Sequence, residues 1–371
     1  MANSTHTADV IIIGGGLHGC STAVHLARAG LKAIIVEKDH VGRHASGVNA
    51  GGVRRLGRAV PELPLANAAL DQWHTIQELV DEDCEFASPG QVKVAETEAE
   101  LQALSARRNK LLVLGHEHEE IIDRAQLREL VPAVAPHCIG GMWVKGDGHA
   151  NPFATVQAFK RKALSLGCHI LENAPVASLI KQAGIWRVIS AQGHMEAPVI
   201  VNCAGAWGGG IAAMLGDRAP VEFRALMLMI TARLQPFVKP VIGAQGRSLS
   251  FKQFGNGTVL IGGAYQGRAE PDRNKTHLDF SGLAANAAAA AAIFPALREA
   301  RIARCWAGIE GHMPDSIPVI GAGIEEGAFH AFGFSAHGFA LSPVVGKVIA
   351  DLVTTGITDM PIDAFSIGRF H

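Results

Sequence analysis

Residues 10 to 19 restrict this chain more than any other stretch. Val10-Ile11-Ile12-Ile13 is a short β-branched run, and Gly14-Gly15-Gly16-Leu17-His18-Gly19 follows at once. Apolar residues then recur at helical spacing through Ala23, Leu26 and Ala27 as far as Gly30, so the order reads as strand, tight turn and helix. In such a turn Gly14 permits the bend, Gly16 lets the backbone approach a pyrophosphate, and Gly19 lets helix and strand pack closely. The helix start adds unpaired N–H groups and a positive dipole end. A second buried strand, Ala33–Val36, ends at Glu37, 18 residues beyond Gly19. A carboxylate there can accept hydrogen bonds from a ribose diol and repel a 2′-phosphate. The unit is a βαβ fold with a dinucleotide fingerprint, which by itself does not separate FAD from NAD.

The rest of the chain has to be compatible with that unit. Its 371 residues are 48% hydrophobic, enough for a large core and two domains. With 33 Lys and Arg against 34 Asp and Glu, it has no bulk attraction to nucleic acid or an anionic membrane, and a small neutral or zwitterionic partner fits better. Cysteines 20, 84, 138, 168, 203 and 305 form no Cys-x-x-Cys pair, which argues for reduced, buried thiols and against a zinc, iron–sulfur or dithiol site. Residues 1–9 lack a secretory-signal pattern, and no apolar run reaches the ~20 residues that span a bilayer, so a cytoplasmic location is expected.

Periodicity predicts further helices over 65–80, 98–114, 152–166, 284–293 and 343–354. Strands are predicted over 91–95, 168–171, 199–203, 225–232, 259–263 and 329–332, with loops rich in Gly and Pro after Trp306. The fold class is α/β, and both domains are discontinuous. Residues 1–80, 145–215 and 306–371 are expected to form a Rossmann-type domain, and 81–144 and 216–305 a mixed-sheet α+β substrate domain.

Three later segments separate the dinucleotides. Val201-Asn202-Cys203-Ala204-Gly205-Ala206-Trp207 ends a strand, and Trp306-Ala307-Gly308-Ile309 leads to Pro314-Asp315 and Pro318-Val319-Ile320-Gly321. Gly333-Phe334-Ser335-Ala336-His337-Gly338-Phe339 precedes the last helix. Together with the glycine turn, and in this order, they resemble the D-amino acid oxidase family over nearly the whole chain. Within it the likeness is to the branch of sarcosine- and dimethylglycine-oxidising enzymes, glycine oxidase, D-arginine dehydrogenase and the flavin subunits of proline and opine dehydrogenases.

The resemblance implies FAD as cofactor and a substrate domain that covers the flavin. The contacts it implies are Gly14, Gly16, Leu17, His18 and Gly19 at the turn, Glu37 and Lys38 at the strand end, and Val176. The small-residue segment adds His44, Ala45, Ser46, Asn49, Ala50, Gly51, Gly52 and Val53. Cys203, Ala204, Gly205 and Trp207 follow, with Gly308 and the run Gly333, Phe334, Ser335, Ala336, His337, Gly338, Phe339, Ala340 and Leu341 beside the ring. Residue chemistry supports the last of these independently. A glycine-rich turn opening a helix offers N–H donors and a positive dipole end to charge developing on a reduced flavin, with Gly338 to Ser342 as candidates.

For substrate, an arginine after the small-residue segment binds the carboxylate in sarcosine-oxidising relatives, and Arg54 and Arg55 occupy the matching region. The competing reading leaves both solvated or on the pyrophosphate. His44 matches the flavin-linking histidine of dimethylglycine dehydrogenase but also resembles D-arginine dehydrogenase, which holds FAD noncovalently, and noncovalent binding is expected here. Two anchors of relatives are missing. Ile309-Glu310-Gly311 stands where glycine oxidase has its Leu-Arg-Pro arginine, and Ala340 where monomeric sarcosine oxidase has a lysine. Gly308 replaces the flavin-linking cysteine of the latter. Glu310 either recognises a cationic group of the substrate or faces solvent. Tyr265 is a candidate pocket residue, His337 is expected near the flavin, and His116-Glu117-His118-Glu119-Glu120 reads as an exposed charged stretch rather than a metal site.

These readings converge on oxidation of the carbon–nitrogen bond of a small amino acid or secondary amine. Hydride passes to the flavin, and the resulting imine hydrolyses. Oxygen or another carrier would reoxidise the flavin. The alternatives are a 2-hydroxy-acid dehydrogenase and a flavin-bearing subunit active only within a homo- or hetero-oligomeric complex.

Overall fold

The computed structural model describes residues 5–371. Val10–Ile13 is buried along its whole length and pairs in parallel with Ala33–Val36 on one side and Val199–Asn202 on the other. It thereby sits inside a six-stranded sheet ordered Val319–Ala322, Ala328–Phe332, Val199–Asn202, Val10–Ile13, Ala33–Val36, His169–Leu171, in which Val319–Ala322 alone runs antiparallel to its neighbour. The chain leaves Val10–Ile13 to one side and returns on the other. Its loops therefore part at the carboxyl ends of these strands and leave a crevice.

Helices Leu17–Arg28, Leu63–His74, Pro152–Ser165 and Gly338–Thr355 cover one face of this sheet, packing Leu26, Trp73, Phe159 and Val345 against Val10, Ile12 and Ile35. The other face carries Ile11, Ile13, Ile34, Val36 and Ile200, and a four-stranded sheet covers it through Trp186, Val188, Met195 and Ala197. That sheet, made of Thr5–Thr7, Gly193–Ala197, Ile185–Ser190 and Val176–Gln182, was absent from the sequence reading. Its strands bury only alternate residues and carry few long apolar runs.

A ten-stranded mixed sheet draws on Gln91–Ala95, Glu120–Asp123 and Gly140–Val144 together with strands between Glu222 and His312. Helix Phe280–Ile293 covers its outer face, which presents Met227, Met229, Phe251 and Ile261. The register puts Arg224, Leu228, Lys252, Leu260, Trp306 and Glu310 on the opposite face. That face meets the small-residue segment, because Trp306 Nε1 donates to the Val48 carbonyl at 2.8 Å and Lys252 Nζ donates to that of Ala50.

Four expectations need correction. Residues 65–80 form two helices, Leu63–His74 and Ile76–Val80, broken at Thr75. Residues after Trp306 are not loop but the end of the long strand Ile302–His312, paired throughout with Glu222–Thr231. Its glycines mark close approach, since a Cβ on Gly311 would lie 2.9 Å from Ala206 Cα. The last helix starts at Gly338, with Pro343 inside it. The Phe339 carbonyl that a proline cannot serve accepts the Ser342 hydroxyl at 2.9 Å instead. Finally, the stretch 116–120 is not wholly exposed. Glu119 is buried, takes Arg107 Nε at 2.8 Å and receives the Gly57 N–H at 2.8 Å.

Gly338–Thr355 has the length and composition of a membrane span, yet Leu341, Val344, Val345, Val348 and Ile349 are buried in the core. Among the described residues no cluster with metal-ligand composition occurs, and the six cysteines are free, five of them buried.

Candidate active site

A cavity of about 440 Å³ opens where the strands Val10–Ile13, Ala33–Val36 and Val199–Asn202 end. The glycine turn forms its floor. Gly14 adopts φ +108°, and a Cβ there would lie 2.7 Å from the Cys203 carbonyl carbon. Gly16 precedes helix Leu17–Arg28 and has no side chain to cap it, so the helix turns its N-terminus to the cavity with no N–H taken up by the cap residue. Two of the nearby donors are already used: Leu17 N donates to Ser46 Oγ at 2.8 Å and Gly15 N to Glu37 Oε2 at 2.7 Å. Glu37 also accepts from Asp39 N at 2.9 Å, and burial raises its pKa. Gly19 does not line the cavity. It lies tight under Gly14, where a Cβ would lie 3.2 Å from the Gly14 carbonyl carbon.

One side wall is built from Lys38, His44, Ala45, Ser46, Asn49, Val176 and Trp207. Lys38 Nζ lies 3.0 Å from the Trp207 ring centroid and donates to Asn274 Oδ1 at 2.9 Å; burial pushes its ammonium down to about 8. His44 Nε2 is 2.5 Å from the same Asn274 oxygen, and Ile309 N donates to its Nδ1 at 3.5 Å, so both ring nitrogens are engaged. Burial pushes this imidazole down to about 4. Asn49 braces the segment by donating to the Ala45 carbonyl at 2.8 Å and accepting from Gly51 N at 2.6 Å.

Cys203, Ala204 and Gly205 face Gly333, Phe334, Ser335, Ala336, Gly338 and Phe339 across the cavity. His18 stacks on Phe334 with ring centroids 3.7 Å apart and lies against the Gly338 backbone. Burial pushes this ring down to about 3, so it is neutral. Ser335 and Ala336 have φ of +49° and +67°, a strained pair for residues with side chains. The strain is held by Ser335 N donating to the Gly311 carbonyl at 3.1 Å and Ser335 Oγ accepting from Met313 N at 2.9 Å.

Behind this segment lies a charged cluster. Arg58, 1% exposed, donates through Nε to the Arg54 carbonyl at 3.1 Å and through Nη2 to the His337 carbonyl at 3.4 Å, while its buried Nη1 has no partner. Arg54 donates to the Leu56 carbonyl. Neither guanidinium has a carboxylate within salt-bridge distance among the described residues. Burial holds Arg54 below the usual arginine range and pushes Arg58 down to about 9. His337 Nδ1 is 3.2 Å from buried Glu62 Oε1, and burial, reinforced by the Arg58 charge, pushes the imidazole down to about 4. Arg55 is differently placed. Its Nε lies 3.5 Å from buried Asp147, and its side chain lines a separate polar pocket with Asn67, Asp71, His116 and His118.

Several expected contacts fall outside the cavity wall. Gly51 sits against Ala150, while Gly52 and Val53 pair with Gly148–His149. The Ala50 carbonyl serves Lys252, Gly308 abuts Val48, Ala340 and Leu341 are core, and the Ala340 carbonyl accepts Trp73 Nε1 at 2.8 Å. Tyr265 packs against the outer cluster under helix Phe280–Ile293 and does not line the cavity. Sequence reasoning missed Arg58, Glu62, Lys252 and Asn274. A lysine within the otherwise strand-like Ser250–Gln253 was a usable signal, and burial pushes that ammonium down to about 7. Asn274, 230 residues from His44, gave none.

The profile of the family described as FAD dependent oxidoreductase matches residues 9–352. Sarcosine oxidase subunit beta of Rhizobium meliloti is 25% identical over 98% of this chain and 88% of its own length. Glycine oxidase of Bacillus licheniformis is 26% identical over 93% and 92%. The crystal structure of L-proline dehydrogenase from P. horikoshii superposes with a TM-score of 0.91 at 25% identity, covering 99% of this chain and 98% of that one.

Proposed function

The chain belongs to the family of FAD-dependent oxidoreductases, and from that premise we propose that it oxidises the carbon–nitrogen bond of a small amino acid or secondary amine to an imine, which then hydrolyses. FAD is the cofactor of this family, and the residues present suit it. The N-terminus of Leu17–Arg28, which Gly16 leaves without a side-chain cap, suits a pyrophosphate, and the glycines at 14 and 16 leave room for its approach. The carboxylate of Glu37 stands at the strand end where a ribose would be held. Bound there, FAD would supply the two-electron acceptor.

The observation that carries the substrate side is the pair Arg54 and Arg58. Two desolvated guanidiniums without a carboxylate partner, beside the closing segment, fit the carboxylate of an incoming amino acid. Arg54 is the anchor in this reading, with Arg58 beside it, whereas Arg55 stays with Asp147. His337, fixed by Glu62 and by Arg58 on its carbonyl, orients the start of the last helix. Leu228, Leu260 and Trp306 give the inner sheet face an apolar surface, suited to keeping water from a reacting carbon held beneath it.

The test is an anaerobic titration of the yellow protein with amino acids and N-methylated amines against 2-hydroxy acids, following bleaching of the flavin. Bleaching by hydroxy acids alone would overturn the proposal. A second reading, a flavin subunit that needs a partner, is motivated by the similarity to a protein named as a subunit. Its sign is flavin that no substrate bleaches until a partner is added.

A further inference from the structure

Glu310 stands out in the cavity wall. It lies on the inner face of the large sheet, opposite Arg224 in register, and it lines the cavity, yet its buried Oε1 accepts no hydrogen bond. Arg224, its cross-strand partner, turns Nη2 to Glu222 Oε2 at 3.1 Å instead. A carboxylate oxygen buried without a partner is costly, and such a group is normally found paired or neutral. Building on the amine-oxidation reading, we infer that Glu310 receives a second, positively charged group of the substrate, so that the chain prefers amino acids with a cationic side chain.

The placement of both charge receptors supports this. Glu310 adjoins Gly311, whose carbonyl takes Ser335 N, whereas Arg58 binds the carbonyl of His337. The three residues from Ser335 to His337 span at most roughly 10 Å. Arg58, which holds the backbone of the proposed anchor Arg54 through its Nε, and Glu310 therefore flank one short segment, as a molecule with a carboxylate at one end and a cation at the other requires. Other polar groups around Glu310 are Arg224 and Glu222 on the paired strand, His312 on its own strand, and His44 and His18 across the cavity. None of them forms an ion pair with Glu310 among the described residues. Burial pushes the Glu310 carboxyl up to about 7, so a cationic group that binds there drives off its proton below that pH.

The experiment uses the FAD-bound protein under anaerobic conditions, with lysine and norleucine of each enantiomer as probes. Binding is read from perturbation of the flavin absorbance before reduction. Lysine should bind at least about 10-fold more tightly than norleucine. Glu310→Gln should remove that difference while FAD content and norleucine affinity hold. In the wild type, the preference for lysine should grow from pH 6 to pH 8 as Glu310 ionises, a readout that needs no variant. Equal binding of the two probes in the wild type would overturn the inference. So would loss of FAD from Glu310→Gln with the lysine preference intact, because the carboxylate would then serve the cofactor. Reduction by 2-hydroxy acids alone would remove the amine reading, while the cation preference would still be decided by the binding titration.

Discussion

Arg54→Ala and Arg55→Ala should behave as opposites although the residues are adjacent. Arg54 is desolvated and, although Asp147, Glu62 and Glu119 act on it from farther off, it forms no ion pair within salt-bridge distance among the described residues, which leaves its fork for a substrate carboxylate. A charge-assisted, bidentate contact contributes about 1.5–3 kcal/mol, which is roughly 10- to 150-fold in affinity. Arg55 has a single long contact of 3.5 Å to Asp147, and its side chain is 21% exposed. Without that side chain, Asp147 keeps the backbone N–H groups of Arg55 at 2.9 Å and Leu56 at 2.8 Å. Truncating Arg55 should therefore lower stability by about 1 kcal/mol or less and leave substrate affinity alone. The assay is the flavin reduction rate against substrate concentration for each variant, after its FAD content has been checked. Arg54→Lys should recover only part of the affinity, since an ammonium lacks the planar fork. Wild-type saturation by Arg54→Ala with a full complement of FAD would refute the reasoning and leave Arg58 as the anchor.

Gly14→Ala should give a protein depleted of flavin absorption, because at φ +108° its Cβ would press on the Cys203 carbonyl and shift the turn; a normal spectrum would count against this role. Acid precipitation should leave FAD in the supernatant, since both nitrogens of His44 are engaged and Gly308 offers no thiol; fluorescence retained by the pellet and lost in His44→Ala would show a covalent link. Stability should fall on acidification from about pH 6.5 towards pH 4. Burial lowers the folded-state pKa values of His18, His149 and His337, so the unfolded chain takes up protons first, at up to about 1.4 kcal/mol per pH unit for each residue. A melting temperature unchanged between pH 7 and pH 5 would contradict this. Trp73→Phe should cost about 0.5–1.5 kcal/mol by removing the Nε1 hydrogen bond to the Ala340 carbonyl, measurable by denaturant unfolding.

What was legible in the sequence was local. The βαβ unit, Glu37 at its strand end and the glycines that let Gly14 approach Cys203 all follow from a few consecutive residues whose conformations and periodicity are dictated nearby. The strand Gln91–Ala95 and the alanine-rich helix were readable for the same reason. Where a residue's environment comes from distant segments, reading failed. Gly308 and Gly311 look like loop formers, yet they are strand residues, because the Val48 side chain at one and the Gly205–Ala206 backbone at the other leave no room for a Cβ. Arg54 and Arg55 are equivalent as letters and part company only because Asp147 lies 92 positions away along the chain from Arg55 and beside it in space. Glu310 could be solvated or buried on sequence grounds. Only the pairing of Ile302–His312 with Glu222–Thr231, and the closure of the large sheet over the crevice, buries its Oε1 without a hydrogen-bond partner while Arg224 on the paired strand turns to Glu222. Hydrogen-bond geometry and periodicity act over a few residues and are written in order along the chain, whereas desolvation and charge pairing depend on which remote segments come together.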